Sequence, residues 1–272
     1  MSLSTPPAPV AARSLDLART RWELATRRLS TLSRIHGAAD DAAGVAIAAR
    51  LASRIGGERI VRQSAMDGLS LAETADGALG QVQASLQRMR ELALQARNGT
   101  LSDADRGSLD AQYQALGEEV GRVVGATRFN GQRILAEEAG DRPINTGTGP
   151  WDTMTLTTPD LRQQPDLVAA AGARLATAAG SASVVDSLDG ALEAVGTHRA
   201  RVGAGMRRLE NVVDSAELRY EAAARSYDRL TRANPFSSAS AQAEARLQQY
   251  AAVAMLREDA TGWRRQLLSL LG

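Results

Sequence analysis

Apolar residues recur along this chain in stripes one residue wide. From 72 to 96 the positions Ala72, Ala75, Leu79, Val82, Leu86, Met89, Ala93 and Ala96 alternate steps of three and four. That is the seam of a helix packed against another helix. Gln87, Arg88, Arg90, Glu91, Gln95 and Arg97 fill the outward positions. Leu188, Leu192, Val195, Arg199, Val202, Met206, Leu209, Val213, Ala216, Tyr220, Ala223, Tyr227 and Leu230 continue the same alternation, with Arg199 as the one polar intruder. At about 1.5 Å per residue this second seam predicts a helix of roughly 60 Å. Shorter seams lie near the ends, at Leu15, Ala18, Trp22, Ala25, Leu29 and Leu32, and at Leu247, Tyr250, Ala254 and Leu256. LLSLLG, with Leu267, Leu268, Leu270 and Leu271, closes the chain.

The interruptions are equally legible. Gly37 is read as the break after the first helix, and Asp40-Asp41 as the start of the next, capping it or pairing with an arginine. Asn98-Gly99 reads as a C-terminal cap. Ser102, with Asp103 and Asp105 behind it, opens a helix to about Val124. From about 136 to 182 Gly, Pro and Thr concentrate in DRPINTGTGPWDTMTLTTPDL. The alternating Thr153-Met154-Thr155-Leu156-Thr157 is β-prone, and with Arg133-Ile134-Leu135 it predicts one hairpin. Asn234-Pro235 stops the long C-terminal helix. The fold class expected is mainly α: long antiparallel, coiled-coil-like helices from both chain ends and a small β-hairpin region between them.

Composition sharpens this picture. Of 272 residues 44% are hydrophobic but only 3% aromatic, which suits helices packed side by side through Ala, Leu and Val. Lys plus Arg number 32 and Asp plus Glu 31, and every basic residue is arginine. A balance this even argues against nucleic-acid binding. Without cysteine there is no disulfide and no thiolate metal site. No apolar run has the length of a membrane span.

The sequence carries no recognised catalytic pattern. His36 and His198 have no second ligand at metal spacing. Walker A, GxGxxG and GxSxG patterns are missing. Gly203-Ala204-Gly205 lies inside a seam and reads as close helix packing. Adjacent acids such as Glu118-Glu119 diverge by about 100° on a helix and make poor acid–base pairs. Asn98-Gly99-Thr100 matches a glycosylation sequon weakly. The sequence predicts no enzyme, no metal and no cofactor.

Several segments together resemble bacterial flagellins. They are RRLSTLSRI (27–35), ADDAAGVAIAARL (39–51), MDGLSLAETADGALGQV (66–82), LQRMRELALQARNGTLSDADR (86–106), TRFNGQRIL (127–135), SLDGALEAVGTHRARVGAGMRRLENVV (187–213) and the closing LLSLLG. The resemblance implies an inner-core domain from 1–36 and 231–272. It implies an outer-core domain from 37–135 and 184–230, and a short variable insert with a hairpin at 136–183. It implies a subunit that leaves the cell unfolded through the flagellar channel and self-assembles into the extracellular filament. Its partners would be itself, other flagellins, an export chaperone, and cap and junction proteins, with no nucleic acid and no membrane insertion. The packing and assembly residues expected are Leu15, Trp22, Leu29, Leu79, Leu86, Met89, Met206, Leu209, Leu247, Leu268 and Leu271. Positions matching the family's innate-immune receptor epitope are Arg88, Leu92 and Gln112, where Gln112 replaces a glutamate.

Both ends depart from the family pattern, at Ser4-Thr5-Pro6-Pro7-Ala8-Pro9 and at Ala233-Asn234-Pro235-Phe236. The alternative reading is a hook–filament junction protein, a related family that tends to have proline after the paired aspartates, where this chain has Ala42. An enzyme carried on a flagellin frame and a plain coiled-coil scaffold are the remaining alternatives.

Overall fold

A computed structural model describes residues 8–271, without the side chains of 8, 9, 178, 179, 259 and 262–271. Six α-helices are present: α1 (Ala8–Thr31), α2 (Ala42–Ala96), α3 (Asp103–Ala126), α4 (Pro165–Gly172), α5 (Ala178–Thr231) and α6 (Pro235–Leu271). Two small antiparallel pairs lie between α3 and α4: β1 (Arg128–Phe129) with β2 (Gln132–Arg133), and β3 (Gly140–Asn145) with β4 (Thr153–Thr158). The chain divides into two compact units. A terminal unit holds Met1–Ser53 and Ala222–Gly272, and a central unit holds Arg54–Glu221. The expected outer-core domain began at 37, whereas residues 37–53 belong to the terminal unit.

The seam at 72–96 is the core of the central unit. All eight of its residues are buried, as are Leu188, Val195, Val202, Leu209 and Ala216 on α5. Each helix alone leaves its narrow stripe wet; facing the stripes removes both from water. Ion pairs set the direction. Arg219 Nε meets Glu58 Oε2 at 2.9 Å, Arg62 meets Glu217 at 2.5 Å, Arg199 meets Asp76 at 2.8 Å and Arg90 meets Asp189 at 2.5 Å. The partners descend α5 as they climb α2, so the helices run antiparallel. Arg199, the polar intruder, turns sideways to grip both carboxylate oxygens of Asp76 and the amide oxygen of Gln83. Its salt bridge fixes register without entering the core. Glu58 is the buried member of the ladder, and its carboxylate takes Arg219 through both oxygens.

α3 begins as expected. Ser102 accepts from the Asp105 N–H, and the Asp105 carboxylate accepts from the Ser102 N–H, a reciprocal capping box. The Ser102 hydroxyl also donates to the Asp105 carboxylate at 2.6 Å, and this bond, with the one from the Ser102 N–H, holds the carboxyl below its ordinary range. The cap of α2 differs from expectation. No left-handed glycine closes it, because Gly131 and Gly140 are the glycines with positive φ. Arg106 instead donates to the carbonyls of Ala96, Asn98 and Leu101 across the end of α2.

The hairpin also corrects the sequence reading. Thr153–Thr158 pairs with Gly140–Asn145, not with residues 133–135. Gln132–Arg133 belongs to its own tight turn, where Asn130 and Gly131 both take positive φ. Asn-Gly is the pair that a two-residue turn with this handedness favours. In β4 Met154 and Leu156 point inward while Thr153, Thr155 and Thr157 face out. Gly205 admits this sheet: a Cβ there would stand 2.8 Å from Leu156 Cδ1. The glycine expected to serve helix–helix packing therefore receives a strand.

Tyr113 ties α3 to α4. Its buried hydroxyl donates to the Ala170 carbonyl at 2.6 Å, and burial raises its pKa well above the ordinary phenol value.

In the terminal unit α1 stops at Thr31, and Leu32 takes φ 52°. Gly37 is therefore not the breaking residue. Ser33 bridges Arg232, and Leu32 accepts from the Ala233 N–H at 2.9 Å. Asp41 both caps and pairs. Its Oδ1 accepts from the Gly44 N–H at 2.8 Å and its Oδ2 from Arg34 at 3.3 Å. Arg34 Nε also donates to the Leu230 carbonyl at 3.0 Å.

Two predictions follow from this packing. Leu209→Ala or Leu86→Ala loses about 2–5 kcal/mol in urea denaturation. Leu209→Asp or Leu86→Asp abolishes the cooperative transition, since each buries an unpaired carboxylate. A cooperative transition at an unchanged midpoint in either Asp variant contradicts the seam. Tyr113→Phe costs about 1 kcal/mol at neutral pH. The phenol's pKa is higher folded than unfolded, so its contribution is complete below about pH 10 and fades as pH rises beyond it. Alkaline stability profiles of the two proteins should converge.

Candidate assembly surface

The terminal unit is built on small residues. Ala11, Ala18 and Ala25 are buried along α1 at steps of seven, and Ser238, Ala245 and Ala252 along α6 at the same step. Small side chains on both helices let the two backbones approach closely. Gln242 donates to Thr26 at 2.9 Å and Arg21 to Gln248 at 3.2 Å, pinning the pair.

This seam is not the one the large apolar residues suggested. On a wheel of about 100° per residue, Leu247 stands roughly 200° from Ala245, on the far side of α6 from α1. Phe236, Ala243, Leu247, Tyr250 and Ala254 follow at steps of seven, four, three and four and share that side. All five are exposed, Phe236 to 84% and Leu247 to 68%. A regular heptad stripe facing water has the form of a helix-packing face without its partner. On α1, Val10 and Leu17 are exposed one position before the buried alanines.

The expected packing residues thus divide. Leu79, Leu86, Met89 and Leu209 lie in the interior and Met206 is partly buried against it. They hold the central unit together. Leu15 and Leu29 are half-buried beside the alanine stripe, and Trp22 is 37% exposed. The side chains of Leu268 and Leu271 lie outside those described, as do residues 4–7 of the divergent opening. Sequence reading missed Phe236 and the Val10–Leu17 stripe. Their spacing of seven was the signal, hidden beside longer seams. In the central unit Ile60, Met66 and Leu218 are exposed as well.

The receptor-epitope positions also separate. Arg88 is exposed and pairs with Glu91 at 2.6 Å, and Gln112 is exposed. Leu92 is 1% exposed and forms part of the core. The packing of α2 turns Leu92 inward, and Leu94 takes the surface. Among the described residues no three His, Cys, Asp or Glu side chains gather as metal ligands. No described helix is long and apolar enough to cross a membrane.

Comparison with known proteins places this architecture. A flagellin of Halalkalibacterium halodurans is 32% identical over 211 residues, covering 78% of each chain. The chain belongs to the bacterial flagellin family. Residues 6–139 match the model of the bacterial flagellin N-terminal helical region. The B-type flagellin of Pseudomonas aeruginosa is 39% identical over 144 residues, 53% of this chain but 30% of that protein. The crystal structure of Bacillus cereus flagellin aligns at a TM-score of 0.52 and 32% identity, over 57% of this chain and 88% of that one. A Vibrio parahaemolyticus structure titled as a flagellar hook-associated protein aligns at 0.51 and 14% identity, over 71% and 97% of the two chains. That likeness is one of fold alone.

The two sides of α6 predict opposite responses. Ala245→Leu forces the helices apart, costs about 1–3 kcal/mol and lowers helicity by circular dichroism. Leu247→Ser leaves helicity and melting unchanged, because Leu247 faces away from the α1–α6 seam and is mostly exposed. Loss of folding in Leu247→Ser would contradict the assignment. With Leu92 buried and a charge missing at Gln112, the purified immune receptor should bind weakly; nanomolar affinity would refute this.

Proposed function

We propose that this chain is a structural subunit of the bacterial flagellar filament that polymerises through its terminal unit and has no catalytic role. The observation that carries the reading is the exposed heptad stripe Phe236–Leu247–Tyr250 on α6, in a chain of the flagellin family. A stripe of this spacing is satisfied by another helix, and identical neighbours in a filament supply one each. Membership in the family supports an extracellular filament as its place. The partners proposed are copies of itself and other flagellins, with an export chaperone and cap and junction proteins along the way.

The route proposed is passage as an unfolded chain through the flagellar secretion channel. Absence of cysteine agrees with this, since no crosslink holds the chain folded. The units suit threading and refolding for a second reason. Their cores are seams between helices, and helices form in about a microsecond once their partners meet.

Assembly is tested with purified full chain by negative-stain microscopy, with and without filament seeds. Long filaments are expected above a critical concentration. Leu247→Ser with Tyr250→Ser should raise that concentration at least tenfold while the monomer stays folded. Removing 263–272 should leave the central unit folded and stop growth. Stable monomers under all seeded conditions would overturn the reading. Labelling along isolated flagella locates the subunit: signal along the filament supports it, and signal confined to the hook–filament junction assigns the chain there instead.

A further inference from the structure

The groove between α1 and the first turns of α6 is not accounted for by helix packing. It encloses about 430 Å³ and its polar lining is Arg21, Arg28, Ser237, Ser238, Glu244 and Gln248. Two of these groups are incomplete. Arg28 Nε is buried without a hydrogen-bond partner. Ser238 is only 7% exposed, and its hydroxyl makes no hydrogen bond among the described residues although its own N–H is taken by the Asn234 carbonyl. A buried donor left unpaired carries its full desolvation cost, so Arg28 points to an acceptor, and the unengaged Ser238 hydroxyl lines the same groove.

The chemistry of that acceptor is constrained. Two guanidinium groups face the groove against one carboxylate, and Glu244 forms no ion pair within 4 Å among the described residues. Asn234 already takes the N–H groups of Phe236 and Ser237 on its side-chain oxygen. The ligand must therefore be held by side chains, with the positive end of α6 adding attraction. A guanidinium fork matches the paired oxygens of phosphate, sulfate or carboxylate. We propose that this groove is an oxyanion site, in which Arg28 and Arg21 supply the charge and Ser238 a hydroxyl donor. The oxyanion is either a free phosphate- or sulfate-type ion or a carboxylate side chain from a second copy. Either source would clamp α1 to α6. The second rests on the filament reading; the first does not.

The experiment uses the full chain as a monomer. Inorganic phosphate, and separately sulfate, is titrated at ionic strength held constant with chloride, and the arginine Nε–H resonances are followed. Variants are Arg28→Gln, Ser238→Ala and, as a control on the same helix, the exposed Arg13→Gln; circular dichroism confirms that each folds. A saturable shift that Arg28→Gln weakens about tenfold or more, Ser238→Ala weakens less and Arg13→Gln leaves alone establishes a free-anion site. If the monomer does not respond, critical concentrations are measured in phosphate- and sulfate-free buffer. A rise of about tenfold in Arg28→Gln and Ser238→Ala, and none in Arg13→Gln, assigns the oxyanion to a neighbouring copy. An unresponsive monomer together with equal critical concentrations, or with no assembly by any form, overturns the proposal. A responsive monomer that never assembles removes the filament reading and leaves the site.

Discussion

A stripe of apolar residues one position wide cannot be buried by the helix that carries it, and this constraint organises the chain. With 3% aromatic residues there is no bulky cluster to seed a globular interior. Leu79, Leu86 and Met89 on α2 are buried in one cluster with Leu188, Val195, Val202 and Leu209 on α5 and Tyr113 and Val120 on α3. The central unit depends on that meeting: the sheet at β3 and β4 rests against it through Leu156 and Ile144, and α4 is reached through Tyr113. A seam of aliphatic stripes specifies spacing well and register poorly. Arg219, Arg62, Arg199 and Arg90, each opposite its own carboxylate, supply the register.

The terminal unit obeys the same constraint with smaller residues. Alanine and serine at steps of seven bring α1 and α6 together, and the larger residues are turned outward. Burial of a few alanines removes little apolar surface, so such a pair gains from neighbours. The division into a self-sufficient unit and a dependent one is what a polymerising subunit requires. In the filament proposed above, neighbouring copies would complete the second.

Much of this was legible from residue order. Helix periodicity announced α2 and α5, the Ser102–Asp105 box announced α3, and the flagellin resemblance rested on segments that the comparisons later supported. What failed did so for physical reasons. Size misled at α6, where Leu247 and Tyr250 drew attention and Ala245 made the contact. Apolar character misled at the hairpin, where Ile134 and Leu135 drew the pairing but Gly140–Asn145, nearer in the chain to Thr153, makes it. Gly37 looked like the helix stop, yet Leu32 left the helix first, held by its bond to Ala233. Gly99 looked like a cap, yet Arg106 reached back from the next helix to do that work. In each case a group elsewhere in the chain supplied what local preference had been asked to supply.

The ladder between α2 and α5 has a chemical asymmetry. Its cations are all guanidinium groups and its anions all carboxylates. A guanidinium keeps its proton at any pH a protein meets, whereas a carboxylate can be neutralised by acid. The lock is therefore one-sided: protons can pick it and hydroxide cannot. A seam fastened in this way distinguishes acid from alkali without a single histidine among its rungs.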